Sequence, residues 1–519
     1  MPVFTHTVST SDLLPSPLAD SSHQREALAR IENEIVLLSQ HFDKVQAILA
    51  ELKKEAAARL ARVIYPVLTL PVELTVAIFL RCLPHWPRQR YTVPLINWAP
   101  LVLTRVCHAW RDIAINTPEL WRSIFIQLAA NTELTDAESA SKKKLGLQQW
   151  VARAKSVSIA VQLQQISHDT TIILPEFMMN PAQNIKSLCI DFFPEGIEAV
   201  SQIPRTILSQ VHHLDVYLAD FVRSPNIPLA RLSVLHITNS LPFPEIVGVM
   251  RECHELTELR ANCTARRHCS NNSHDPPSQD LYDLHVPTLR VLDLMVDHQI
   301  SEEQLLFGSL TLPNLVSLSL DTAYSTHTTW DLQLCSLTQR APRIRHLNYS
   351  FTDRDSTIQV LKLLPDLVFL GAVFRNSGHK HVEPFLGLLG RSAELDVPNM
   401  LPNLRALRIQ LEGSISRRSY LPCGLAEVID MWGILDILAA RRQRPPVHHT
   451  STLRSLRVAV SQVSPPDALN PLQPIPLSLS TALDEYMSHG LDFAIFHSDS
   501  DLVWPPHAYA DRLEDWVIW

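Results

Sequence analysis

Cys253, His254, Cys263, His268 and Cys269 form the one group in this sequence whose residue types suit a zinc ion, because thiolate and imidazole are its ordinary ligands. Their spacing lacks the paired Cys-x-x-Cys arrangement that sets four ligands around one ion, so no metal is expected. Serine, histidine and aspartate are abundant. Neither a G-x-S-x-G turn nor an H-E-x-x-H helix arranges them for hydrolysis, so no catalytic residue is expected. With 12 glycines against 37 prolines in 519 residues, phosphate-cradling loops are disfavoured and many short elements with stiff turns are favoured. No cofactor is expected. The chemistry therefore points to binding, and the question becomes which elements present the binding residues.

A formal charge of -8 leaves no basic footprint for nucleic acid. No run approaches the roughly 18 apolar residues of a membrane span, and the first twenty residues lack the basic start and apolar run of a signal peptide. Eight scattered cysteines fit a reducing compartment, so a cytoplasmic or nuclear, intracellular protein is expected.

The most informative stretch runs from Tyr65 to Phe125. Leu70-Pro71 opens a helix with Glu73 in its first turn, Leu74, Ile78 and Phe79 fall on one face, and Leu83 continues it before Pro84. Leu103, Val106, Trp110 and Ile113 share a second helical face, and Pro118 with Leu120 and Trp121 starts another short turn. These residues resemble an F-box, the three-helix module that docks on a Skp-type adaptor in cullin-RING ubiquitin ligases. The link between Leu83 and Leu101 carries Pro84, Pro87, Pro94 and Pro100 and is longer than usual, as in fungal members. The resemblance implies adaptor contacts from Leu70, Pro71, Leu74, Ile78 and Phe79, joined by Leu101, Val106 and Trp121. Trp110, Ile113 and Leu120 would hold the helices together.

Before the module, residues 1–21 read as a disordered lead-in broken by Pro2, Pro15 and Pro17. Residues 22–65 read as one long helix without proline or glycine. Leu28, Ile31, Ile35, Leu38, Phe42, Val45, Leu49, Leu52 and Ala56 make an a/d heptad seam. Two readings stand open: a homo-oligomer through 28–56, or a helix packed within its own chain.

After the module, 66–125, a polar join is expected over 126–145, and 146–519 carries a recurring unit. Its central leucines are Leu188, Leu214, Leu235, Leu259, Leu292, Leu318, Leu347, Leu370, Leu407 and Leu456, separated by 21 to 49 residues. Several spacings match the roughly 20–29 residues of a leucine-rich repeat. The pattern resembles the irregular repeats that often follow F-boxes, with an ordinary parallel α/β domain as the alternative. The expected fold class is thus α/β, a long helix and a three-helix module followed by a leucine-rich-repeat solenoid. Leu292 and Leu294 would point inward and Asp293 to the open face. Asp293, Ser317, Arg345, Asn348, Arg405 and Arg408 are the candidate target-binding residues on that face. Insertions are expected at 265–280 and around a helix at 425–440 closed by Arg441, Arg442 and Arg444, with Trp516 and Trp519 at the end of the array.

The resemblance implies a substrate-recognition subunit of a ubiquitin ligase. It would bind the adaptor, and through it cullin and RING subunits, and hold an unidentified target by proximity alone. The alternative is a non-catalytic dimeric scaffold.

Overall fold

The computed structural model describes residues 21–62, 70–83, 99–128, 137–166, 172–180, 182–217, 227–264, 284–296, 307, 310–322, 330–351, 354–375, 385–386, 389, 401–413, 438, 453–462, 477–497 and 503–504. They fall into two compact units, Met1–Ile78 and Phe79–Trp519. The lead-in at 1–20, residues 63–69, the insertion at 265–280, the helix at 425–440 apart from Leu438, and Trp516 with Trp519 lie outside the described residues.

In the first unit, α1 (Ser21–Arg62) runs for 42 residues, since no proline or glycine interrupts it. Helix α2 (Val72–Arg81) begins directly after Pro71, with Glu73 in its first turn and Arg81 in its last, both complementing the helix dipole. Thr75 closes the first turn through its amide, 3.1 Å from the Pro71 carbonyl.

The second unit begins within α2, at Phe79, and continues with a 3-10 turn (Leu103–Arg105), α3 (His108–Asn116) and a second 3-10 turn (Pro118–Trp121). The continuous helical face expected through Leu103, Val106, Trp110 and Ile113 is broken at Cys107. That residue is extended (φ -156°, ψ 172°) and caps α3, its Sγ accepting the Trp110 amide at 3.4 Å. Three- and four-residue spacing survives such a break, which is why the sequence pattern does not reveal it.

A large sheet follows without pause, built from β1 (Ser123–Leu128), β2 (Ile159–Gln165), β3 (Ile185–Asp191), β4 (His213–Val216), β5 (Val234–Pro242) and β6 (Glu258–Thr264). A short pair, β7 (Leu284–His285) with β9 (Leu310–Thr311), stands apart, flanking β8 (Val291–Val296) in the chain. The large sheet continues through β10 (Ser317–Thr322), β11 (His346–Ser350), β12 (Phe369–Arg375), β13 (Ala406–Gly413), β14 (Ser455–Gln462), β15 (Asp492–His497) and β16 (Val503–Trp504). Among the described residues its strands lie in chain order and are parallel up to β15, and β16 turns back antiparallel. Parallel neighbours require crossovers. Helices supply several of them: α4 (Ala137–Ala154), α5 (Ile197–Ser201), α6 (Arg205–Leu208), α7 (Phe243–Glu252), α8 (Trp330–Arg340), α9 (Arg354–Lys362) and α10 (Leu477–Ser488). Residues 126–128 complete β1 and 137–145 open α4, inside the span read as a polar join, because Ile124 and Ile126 alternate inward as a strand requires.

All ten marker leucines stand in one row. Ile124, Val161, Leu188, Leu214, Leu235, Leu259, Leu292, Leu318, Leu347, Leu370, Leu407, Leu456 and Phe493 are successive cross-strand partners. None is more than 2% exposed. A second buried row lies two residues on, through Leu163, Ile190, Val216, Ile237, Leu294, Leu320 and Ile409. The chain thus has a mixed α/β fold with a long N-terminal helix and a large, mostly parallel sheet. Among the described residues, no helix is long and apolar enough to cross a membrane.

Because Leu318 fills the row completely, Leu318→Ala is expected to lower the unfolding free energy by about 2–5 kcal/mol. Ser317→Ala, on the opposite face, is expected to change it by about 0.5 kcal/mol or less. Urea titration of the two variants checks this.

Candidate functional site

The residues expected to meet an adaptor separate by burial. In the first unit, Leu70, Pro71, Leu74 and Ile78 are exposed, and so is Val72, which the sequence reading passed over. In the second unit Val106 is exposed and Leu101 half-buried. Phe79 and Trp121 are corrections. They are 1% and 0% exposed, so neither side chain can form a contact surface.

Their burial has local causes. The Phe79 ring meets Trp110 edge to face, with centroids 4.9 Å apart. Trp121 donates its indole N–H to the Ala114 carbonyl at 2.8 Å and meets Trp150 edge to face at 5.0 Å. Trp150 in turn donates to the Trp121 carbonyl at 2.8 Å, and the Arg153 guanidinium lies 4.4 Å from the Trp121 ring centroid. These contacts tie α3 and the following turn to α4, and so to the first crossover of the sheet.

The sheet's other face carries a polar row in the same register as the leucines. Asp215, His236, Arg260, Asp293, Ser319, Asn348, Gly371, Arg408 and Arg457 are successive partners on β4, β5, β6, β8, β10, β11, β12, β13 and β14. Asp293, Asn348 and Arg408 therefore share one row. Ser317 lies one pleat earlier, and exposed Arg345 and Arg405 immediately precede β11 and β13. All six target-binding candidates are thus on or beside this face.

Its first half is a bonded cluster. His236 Nε2 is 3.0 Å from Glu258 Oε1, and His236 Nδ1 is 3.7 Å from Asp215 Oδ2. Arg260 donates to Glu258 through Nε and Nη2, at 2.8 and 2.7 Å. The His213 ring stands edge-on to His236 at 5.2 Å, and its buried Nε2 has no hydrogen-bond partner among the described residues. Burial, helped by His236, pushes His213 down to about 4. Burial also opposes charge on His236, but hydrogen bonds to Asp215 and Glu258 outweigh it and leave its pKa raised. Glu258 is desolvated too, yet His236 and Arg260 bring it down to about 2. Burial raises Asp293, against a hydrogen bond from Ser319.

The second half is neutral and then basic. Asn348 donates to Ser319 Oγ at 3.3 Å, and its carbonyl oxygen occupies the space a Cβ on Gly371 would need. Arg408 donates to Gln410 at 2.8 Å and Arg457 to Asp492 at 2.9 Å. Arg454 follows Arg405 across the strands, its amide 2.7 Å from the Arg405 carbonyl. Glu258, Arg260 and Arg454 were not singled out from the sequence, although the alternation around Leu259 places the first two off the buried row.

Of the cysteine and histidine group, Cys253 and Cys263 are core residues whose thiols burial pushes up to about 12, which keeps them protonated. His254 is exposed, and His268 and Cys269 lie outside the described residues. Among the described residues, no set of three or more histidine, cysteine or carboxylate side chains is arranged to hold a metal ion. Compared with known proteins, the chain matches no protein-family model and no curated sequence.

The cluster makes stability depend on pH. Between about pH 6.5 and 4 the unfolded chain takes up a proton at His213 that the folded chain refuses, so acidification costs stability there. His236 acts in the opposite sense. Its contribution is full below its unfolded pKa and fades as pH rises through the raised folded value. From pH 7 to 5, the melting temperature is expected to fall less in His213→Gln than in the unchanged protein, and more in His236→Gln. Calorimetric scans at the two pH values check both signs.

Proposed function

We propose that this chain is the substrate-recognition subunit of a Skp-cullin-F-box ubiquitin ligase, with residues 66–125 as its F-box and the parallel sheet as an irregular leucine-rich-repeat solenoid. The observation that carries the reading is the apolar surface at the start of α2. Leu70, Val72, Leu74 and Ile78 are 37–53% exposed within ten residues, directly around the Leu-Pro step. Exposed large apolar residues concentrated this way are a feature of protein contact sites. Val106 and Leu101 supply further contacts, while Phe79, Trp110 and Trp121 act from within the packing.

In this reading the polar row holds the target. The ligase needs no chemistry from this chain, because placing a target lysine near the charged conjugating enzyme is itself the contribution. The arginines around β13 and β14 favour an acidic or phosphorylated target segment. The strand helices and crossovers serve to hold that row in register.

A second reading, a dimeric scaffold acting outside a ligase, draws support from the exposed apolar seam of α1. Calorimetry with a purified Skp-type adaptor separates the two. One-to-one binding is expected, weakened about 100-fold or more by Leu74→Asp with Ile78→Asp, which corresponds to roughly 3 kcal/mol. Absence of binding by the folded, unchanged chain would leave the scaffold.

A further inference from the structure

The a and d residues of α1 from Leu28 to Leu52 are 48–65% exposed, a stripe with the period of a two-helix seam. Two copies could cover it in either direction, and the residues beside the seam distinguish them. In a parallel pair each a residue meets its own counterpart, so Phe42 faces Phe42. The flanking g-to-e pairs are then Ala27 with Glu32, Glu34 with Ser39, His41 with Gln46 and Ile48 with Lys53, none of them an ion pair.

Reversing one helix changes both features. Position a now faces d, giving Leu28 with Leu52, Ile31 with Leu49, Ile35 with Val45 and Phe42 with Leu38, each layer occurring twice about a centre at Gln40. The bulky ring thereby meets a leucine. Position e now faces e, which sets Glu32 beside Lys53 on both sides of the two-fold axis. Because Cβ atoms lean toward the N-terminus of their own helix, these two side chains converge in the reversed pair.

Both charges are available for this. Three and four residues away in its own helix, Glu32 has only Leu28, Ala29, Ile35 and Val36, and Lys53 has only Leu49, Ala50, Ala56 and Ala57. Two other pairs of charges on α1 do meet within the helix, Arg30 with Glu26 at 3.9 Å and Arg59 with Glu55 at 2.6 Å. We propose that α1 binds α1 of a second copy of this chain as an antiparallel coiled coil centred on Gln40, with two Glu32–Lys53 ion pairs setting its direction. The proposal does not depend on the adaptor reading.

Sedimentation equilibrium of the full chain tests it. A dimer is expected. Glu32→Lys and Lys53→Glu should each raise the dimer dissociation constant about tenfold, since each turns two attractive exposed pairs into repulsive ones. An equimolar mixture of the two variants should recover unchanged affinity, because every Glu32–Lys53 contact is then complementary in the mixed dimer. The Glu32→Lys, Lys53→Glu double variant should recover it as well. Leu38→Asp with Val45→Asp should leave monomer only. A chain monomeric at all concentrations, a dimer that survives the Leu38 and Val45 substitutions, or a dimer whose affinity neither charge reversal changes would each overturn the proposal.

Discussion

The structure of the second unit depends on one row of side chains. From Ile124 to Phe493, each strand of the parallel sheet places a buried apolar residue beside its neighbour's. A single strand of this kind cannot bury its apolar face alone, so each unit is stabilised by those on either side. A one-residue slip would turn every leucine out and every polar residue in, which makes the register costly to change. Crossovers of very different length are compatible with this, because only the strand residues must keep step.

The same register organises the opposite face. Residues such as Asp293, Asn348 and Arg408 are distant in sequence, but each lies one position beyond a marker leucine, so the sheet sets them in line. The line divides by charge. Around β4–β6, Asp215, His236, Glu258 and Arg260 form one bonded set, with Glu258 between His236 and Arg260. Around β13 and β14, Arg408 and Arg457 stand side by side in register. Like charges at adjacent sheet positions disfavour folding unless something opposes them. Asp492 does so for Arg457, and Arg408 donates to the Gln410 side chain.

Much of this was legible in the sequence because two signals coincide, period-two alternation and a leucine, isoleucine or valine three residues before each marker leucine. Where only one signal operates, the reading fails. Phe79 and Trp121 sit where an exposed hydrophobic and a buried one look alike; what buries Trp121 is the Ala114 carbonyl and a second tryptophan 29 residues further on. Cys107 interrupts a helix without disturbing its apolar spacing. The contacts of His236 with Asp215 and Glu258 require the register of three strands at once, which no local pattern specifies. The β7–β9 pair has only two residues per strand, too short for alternation to mark.

If this chain brings a target to a ubiquitin ligase, as we propose, it must assemble with the ligase core. Purified chain, Skp-type adaptor and cullin–RING would be mixed and followed by size-exclusion chromatography with light scattering. All of them are expected in one complex, with cullin joining only when the adaptor is present. Adaptor bound without cullin, or no complex with either, would contradict the proposal.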